Sequence, residues 1–275
     1  MTPTFSVIVP TYNRRERLEQ LLRRLESQTM KSFEVVVADQ TPEIEPLDPE
    51  MFRFPLKYVY LETPGATRAR NEAIRLAEGE LVAFTDDDCE PDPLWLANAE
   101  GYFRDDNVVG VEGRIEGGVA GADYPYLVSN IGLEGMGFLT ANLFVRLDAL
   151  RTVGGFDERF DHPHFREDTD LAWRLLGCGR LPFADDVKVF HPPLKREFEG
   201  VLKRFIHDCL LCHKHSDRFF KLLRLEGHYR RPGYWQAFAE GLLRHRVTVP
   251  LIELKPLMEP ARYALLDRLS RFLEL

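Results

Sequence analysis

The first third of the chain alternates two kinds of patterning. Phe5-Ser6-Val7-Ile8-Val9 is a short apolar run closed by Pro10, which predicts a buried strand. Residues 14–27 place Leu18, Leu21, Leu22 and Leu25 at helical spacing with charges on the other face, an amphipathic helix. Phe33 to Ala38 reads as a second strand ending on Asp39, and Leu56 to Leu61 as a third after a Pro-containing loop at 41–55. Pro64-Gly65 opens a helix that runs through Ala77 and stops at Gly79, and Leu81 to Phe84 is the next strand. Strands separated by helices predict right-handed βαβ units and a parallel sheet. Ligands on such sheets bind beyond the carboxyl ends of the strands.

The pattern is less regular over 107–194. Val108 to Val111 and Leu139 to Val145 look like strands, with Gly-rich loops (GGVAGADYP, GLEGMG) between them. A short helix precedes a sharp turn at Gly154-Gly155-Phe156-Asp157, Asp168 to Leu176 reads as a helix, and Val187 to Phe190 reads as a strand ending on His191-Pro192-Pro193. From 196 onward the pattern is mostly helical, with Val201, Leu202, Phe205, Ile206, Cys209 and Leu210 on one stripe. There are no internal repeats.

Composition narrows the class. The 275 residues are 44% hydrophobic and 29% charged, a globular balance with room for one large domain or a domain with an appendage. No stretch approaches the roughly 18 to 20 apolar residues of a membrane-spanning helix. The start lacks the features of a signal peptide, and four cysteines (Cys89, Cys178, Cys209, Cys212) are too few for a disulfide scaffold; both point to the cytoplasm. The net charge of −8 hides an asymmetry: residues 195–275 carry 16 Lys+Arg against 10 Asp+Glu, so the body is acidic and the tail basic. An acidic body argues against nucleic acid as a partner. The tail has three destinations, ranked as docking on the body, pairing with a second subunit, and peripheral contact with the inner face of a membrane.

The strand ends carry the candidate chemistry. The first gives Pro10-Thr11-Tyr12-Asn13, the second Asp39, the fourth Asp86-Asp87-Asp88. Thr11, Tyr12 and Asn13 offer a hydroxyl, a ring and an amide to a nucleobase, although Pro10-Thr11 also suits a turn into the helix. Two carboxylates about 4 Å apart repel by roughly 4 kcal/mol at an effective dielectric of about 20. A divalent cation reverses that sign, and hard oxygen ligands suit Mg²⁺ or Mn²⁺. Asp87 is either a solvated middle residue or part of the donor site. Arg70 either pairs with phosphate or is an exposed helix charge. His191 is either a hydrogen-bonded structural residue or a metal ligand.

The stretches VIVPTYNR (7–14), Asp39, PGATRARN (64–71), TDDDCEPDP (85–93), TANLFVRLDALRTVGGFDE (140–158), REDTDLAWR (166–174) and VFHP (189–192) occur in an order and spacing that resemble family 2 of the nucleotide-sugar glycosyltransferases. The resemblance covers about residues 4–194 and leaves the tail unmatched. It implies an α/β GT-A fold, a Rossmann-like and mostly parallel sheet flanked by helices. The domain would span 1–194, with a nucleotide-binding half at 1–106 and an acceptor-side half at 107–194, followed by a helical extension at 195–275. It implies inverting, metal-dependent transfer from a UDP- or dTDP-sugar to a hydroxyl of a glycan or lipid-linked glycan. Asp86 and Asp88 would be the D-x-D pair, with Asp88 the direct ligand of Mn²⁺ or Mg²⁺ and Asp86 also reaching the ribose; some members add a His at the position of His191. Asp39 would read the imide N–H of uracil or thymine. Asp168 would be the catalytic base and Glu167 would position the acceptor, while Thr140, Ala141 and Asn142 would line the acceptor side. Trp173 is assigned to the core and Asn71 to a structural role.

Two other functions remain open from sequence: a nucleotidyltransferase that makes the sugar nucleotide, which would want a glycine-rich triphosphate loop that VIVPTYNRRE lacks, and a catalytically silent nucleotide-sugar-binding scaffold. Cys209-Leu210-Leu211-Cys212-His213 spells a haem-attachment pattern, and His215 would add a fourth zinc-type donor. Buried thiols in an amphipathic helix are the expected reading.

Overall fold

The computed structural model describes residues 2–42, 46–118, 128–193 and 202–273. Val201 of the tail stripe and most of the loop at 117–125 lie outside the described residues. An eight-stranded sheet has the order β3-β2-β1-β4-β7-β6-β8-β5. Its strands are β1 Phe5–Thr11, β2 Phe33–Asp39, β3 Leu56–Tyr60, β4 Leu81–Phe84, β5 Glu90–Pro91, β6 Gly110–Gly117, β7 Leu143–Arg146 and β8 Phe183–His191. The helices that matter below are α1 Arg15–Leu25, α2 Ala66–Leu76, α3 Trp95–Tyr102, α4 Leu147–Thr152, α5 Glu167–Leu175, α6 Asp208–Lys214, α7 Ser216–Glu226 and α8 Tyr234–His245.

The first four strands in the sheet are parallel, as the alternating pattern requires. The sheet then changes sense, because β7 pairs antiparallel with both β4 and β6. The result is a mixed sheet where sequence patterning alone predicts a parallel one. The carboxyl ends of β1 and β2 are level, with Thr11 opposite Asp39. The end of β8 is brought alongside by its pairing with β6, which sets Gly117 opposite His191.

Successive residues of a strand face opposite sides, and the two cores follow from that period. Phe5, Val7, Val9, Val35 and Val37 pack with Leu18, Leu21, Leu22 and Leu25 of α1 and with Trp95 and Leu96 of α3. Burying each such side chain stabilises the fold by roughly 1.5–3 kcal/mol. Ile8, Val36, Val82 and Phe84 pack on the other face with α2 and α5. The same cluster runs on without interruption into Phe205, Leu210, Phe219, Tyr234 and Phe238 of the C-terminal helices. The tail is therefore packed onto the body, the first of its three expected destinations. Cys209 and Cys212 are buried thiols in this apolar cluster. His213 Nδ1 lies 2.7 Å from the Thr248 carbonyl oxygen, and His215 Nε2 lies 2.9 Å from Asp170. Each histidine has a partner other than the thiols, and among the described residues no cluster of metal-type donors includes Cys209 or Cys212.

Candidate active site

A crevice opens at the carboxyl ends of β1, β2 and β4. One cavity of about 450 Å³ is lined by Pro10, Thr11, Tyr12, Gln40, Arg70, the three aspartates and His191. A second, of about 410 Å³, shares Arg70, Asp86 and His191 and continues past Thr140 and Ala141 to Glu167 and Asp168. Residues read at separate strand ends thus converge on one two-chambered site.

The aspartate triplet follows β4 directly and each member meets a different partner. Asp86 pairs with Arg70 (Nη2 to Oδ1, 3.2 Å). Burial pushes its carboxyl up, but Arg70, with His191 and His164 behind it, outweighs this and holds it below the usual range. Asp87 is not a solvated middle residue: it is buried and accepts from Thr11 Oγ1 (2.7 Å) and Arg14 Nη1 (3.0 Å). Burial nevertheless pushes its carboxyl up to about 6. Asp88 Oδ2 accepts from Arg14 (3.2 Å) and Arg17 (2.9 Å), while Asp88 Oδ1 is buried with no hydrogen-bond partner.

That orphaned oxygen tests the metal assignment. His191 Nε2 stands 3.4 Å from Asp88 Oδ1 and 3.9 Å from Asp86 Oδ2. His191 Nδ1 lies 2.8 Å from the Pro192 carbonyl oxygen, so in the neutral ring Nδ1 carries the hydrogen and Nε2 turns its lone pair toward the carboxylates. Lone pairs converging in a buried place are repulsive unless a cation joins them. The donor atoms of Asp86, Asp88, Cys89 and His191 all lie within 4.8 Å of one another. Burial pushes the Cys89 thiol far up, which keeps it neutral, whereas metals bind the thiolate. Two carboxylates and an imidazole remain, a donor set that fits Mn²⁺ or Mg²⁺.

Arg70 joins the two chambers. It is fully buried rather than an exposed helix charge, and its other nitrogen reaches Glu167 (Nη1 to Oε1, 3.2 Å). Glu167 and Asp168 open α5. Asp168 Oδ1 accepts from the Thr169 backbone N–H at 2.8 Å. Burial, and then the neighbouring Glu167, push the Asp168 carboxyl up to about 7 against the pull of that hydrogen bond, Arg70 and Arg166. Glu167 is raised too, chiefly by burial, although Arg70 opposes it.

Two expected site residues are placed elsewhere. Asn142 does not line the second chamber. Its amide accepts from Trp95 Nε1 (2.8 Å) and donates to the carbonyls of Arg114 and Val187 (2.9 Å each). It lies so close to Gly113 that a Cβ there would fall 2.3 Å from the amide nitrogen. All its capacity goes to clipping β6, β8 and α3 together. Asp39 stands at the end of β2 but is buried behind the cavity wall, accepting from the Thr41 N–H (2.8 Å) and from the Tyr58 hydroxyl. Its neighbour Gln40 faces the cavity instead. Tyr12 lies open at the mouth, and Asn13 adopts φ 54° with its N–H donated to Thr41 Oγ1 at 2.7 Å. Asn71 clasps Phe156 through its N–H (2.8 Å) and its carbonyl (3.0 Å), a structural role. Trp173 is in the core.

Several lining residues carry no sequence signal of their own. Arg14 lies inside VIVPTYNR, but nothing in that stretch marks it as the partner of Asp87. Arg204, Glu226 and His228 line the second chamber from the tail, which offers no motif.

A crevice with this donor set, at this end of this kind of sheet, defines a nucleotide-sugar-dependent transferase of the GT-A type. Comparison with known proteins agrees. The family model for glycosyl transferase family 2 matches residues 6–165, and the chain belongs to that family. It is 32% identical over 227 residues to glycosyltransferase AglE of Haloferax volcanii, covering 74% of this chain and 70% of that protein. It is 34% identical over 143 residues to the pre-mycofactocin glycosyltransferase of Mycobacterium tuberculosis, covering 46% of this chain but only 30% of the relative. Among solved structures, S. aureus TarS 1-349 superposes with a TM-score of 0.65 at 23% identity, covering 97% of this chain and 88% of that one. The mannosyltransferase PcManGT of Pyrobaculum calidifontis, in complex with GDP-Man and Mn²⁺, gives 0.63 at 22% identity, covering 100% and 81%. At these identities the superpositions speak for the GT-A fold. The protein is a family 2 glycosyltransferase. Among the described residues no helix is long and apolar enough to cross a membrane.

Proposed function

We propose that the protein transfers a sugar, with inversion, from a UDP- or dTDP-sugar to a hydroxyl of a carbohydrate or lipid-linked acceptor, in a metal-dependent reaction. The observation that carries this reading is the Asp168 carboxyl, part-buried on the second chamber and across Arg70 from the Asp86–Asp88–His191 cluster. The first chamber takes the nucleotide. Tyr12 offers a stacking face at its mouth, and Pro10, Thr11 and Asn13 shape the loop around it. Asp39 contributes to the choice of base from behind the wall, by exchanging one of its present partners for an imide N–H.

Asp86, Asp88 and His191 would hold Mn²⁺ or Mg²⁺, which when bound offsets the charge that gathers on the departing diphosphate. Arg70 keeps Asp86 ionised and at the same time fixes Glu167. Asp168 Oδ takes the proton from the acceptor hydroxyl as its oxygen attacks the anomeric carbon on the face opposite the leaving group. A carboxyl near 7 suits this task, because it is substantially ionised at neutral pH yet basic enough to accept a proton in the transition state. Glu167 and Thr140 line the space in which that hydroxyl must sit. The residues that would hold the metal and the carboxylates of Glu167 and Asp168 lie on opposite sides of Arg70, which supports a single in-line displacement.

The test is Asp168→Asn, which keeps shape and removes basicity. Transfer should fall by roughly 10²-fold or more while nucleotide affinity in the presence of Mn²⁺ survives. Transfer at the wild-type rate would sink the proposal.

A further inference from the structure

Among the described residues Asp168 has no side-chain partner that fixes its direction, other than a Thr169 hydroxyl contact at 3.4 Å; its one close hydrogen bond there is accepted from the next backbone N–H. Where its carboxyl points is therefore set by how α5 begins, and α5 begins unusually. Arg166, the residue before Glu167, adopts the left-handed region (φ 74°, ψ −1°) with no side-chain cap. Such a conformation is unfavourable for a residue other than glycine and persists only where its surroundings hold it.

Those surroundings come from the tail. Arg166 Nε donates to Asp208 Oδ1 (2.7 Å), Nη1 to Glu226 Oε1 (2.8 Å) and Nη2 to Glu226 Oε2 (2.5 Å). Asp208 Oδ2 accepts from the Tyr234 hydroxyl at 2.7 Å, and the guanidinium lies 4.3 Å above the Phe165 ring. Arg166 and Asp208 are buried, and the network draws one residue from each of α6, α7 and α8. One turn further along α5, Asp170 is held by Lys214 (2.6 Å) and His215 (2.9 Å), again from the tail. The tail thus grips α5 at 166 and 170, on either side of Glu167 and Asp168. A buried ion pair is weak evidence for stability as such, since apolar residues of the same volume often do as well. What a fork-to-fork pair supplies is direction.

We propose that the Arg166–Asp208–Glu226–Tyr234 network is a positioning device. It lets the C-terminal helices hold Asp168 against the acceptor chamber, and so makes the tail a working part of the active site. The inference rests on Asp168 being the base. Glu226 and His228 also line the acceptor chamber, so the device forms part of the wall that an acceptor touches.

The test needs no substrate. Arg166→Lys keeps the charge and loses the fork; Tyr234→Phe deletes one hydrogen bond, leaves every ion pair in place and is the variant certain to be assessed if the first folds poorly. Three measurements are made on each: the thermal melt, amide hydrogen exchange, and the titration of the Asp168 carboxyl by carbon NMR, assigned by its loss in Asp168→Asn. The titratable and charged groups facing Asp168 are Glu167 on its own helix, Arg70 from α2, Asp86 after β4, His191 at the end of β8, His164 and Arg166 before α5, and Arg204, Glu226 and His228 from the tail, and none but Arg166 is altered. Both variants should melt cooperatively. Exchange should rise about tenfold at 165–170 and stay unchanged in the sheet. As water reaches the loosened carboxyl, its midpoint should fall from about 7 by about one unit in Arg166→Lys and by less in Tyr234→Phe. An unmoved midpoint, or exchange that rises evenly along the chain, would show the network to be general packing and overturn the proposal. The base assignment fails separately, through an Asp168→Asn protein that still transfers sugar.

Discussion

The two chambers contain the same residue type treated in opposite ways. In the first chamber Asp86 is part-buried and Arg70 keeps it ionised, and Asp88 is met by Arg14 and Arg17. On the acceptor side Asp168 has Glu167 for its nearest charge, has no arginine in contact, and rises to about 7. Arg70 touches Asp86 and Glu167 and stops short of Asp168. Asp86 is held as an anion, which a cation needs; Asp168 is left poised to exchange a proton, which a base needs. Burial alone would raise both, so the arginine that touches Asp86 and not Asp168 makes the difference between these two.

The comparison can be broken at either end. The largest effect is expected from Asp88→Asn, which removes the oxygen that stands unpartnered beside His191. Calorimetry should show the Mn²⁺-dependent part of UDP binding lost, with the melt nearly unchanged; unchanged affinity would remove the metal assignment. Glu167→Gln should act next most strongly, and on the other chamber. Taking away the anion beside Asp168 lowers its pKa, so the acid limb of the rate profile should move to lower pH while the acceptor KM rises. An unmoved limb would mean that Glu167 does not govern the base. The smallest effect concerns nucleotide choice. UDP and dTDP should compete for the first chamber and GDP should bind about tenfold less tightly or worse, a discrimination worth roughly 1.4 kcal/mol per tenfold. Equal competition by GDP would show that Asp39, buried behind Tyr58, takes no part in reading the base.

The lining of the first chamber was largely legible from sequence because its residues end strands. Pro10 to Asn13, Asp39 and Asp86 to Asp88 each follow an apolar run, and the rule that ligands gather at such ends brings them together before any coordinates are known. The acceptor chamber was legible only through the resemblance, and its outer wall not at all. Arg166 meets Asp208 and Glu226 across 42 and 60 residues, and a helical stripe records which face is buried, not which polar residue on it will find a distant partner. Asn142 misled for a related reason. A polar residue beside a motif looks like a ligand-binding group, but here it fills the gap over Gly113 and satisfies two strand carbonyls. The change of sense at β7 escaped because an apolar tetrapeptide looks alike in either direction. Helix α3 left no mark because WLANAEGY is almost uniformly small or apolar and has no pronounced polar face.

The central claim is that one raised carboxyl, that of Asp168, removes the acceptor proton while the carboxylates across Arg70 serve the donor. The pH dependence of the transfer rate at saturating donor and metal tests it most directly. A base whose folded pKa is raised is protonated and inactive below that value, so the rate should climb as pH rises through about 7, tenfold for each unit below it, and then level off. Asp168→Asn should remove that limb along with most of the rate. A wild-type rate that stays level from pH 8 down to about 5 would contradict the account, because a carboxyl at the ordinary acid range would then be doing the work.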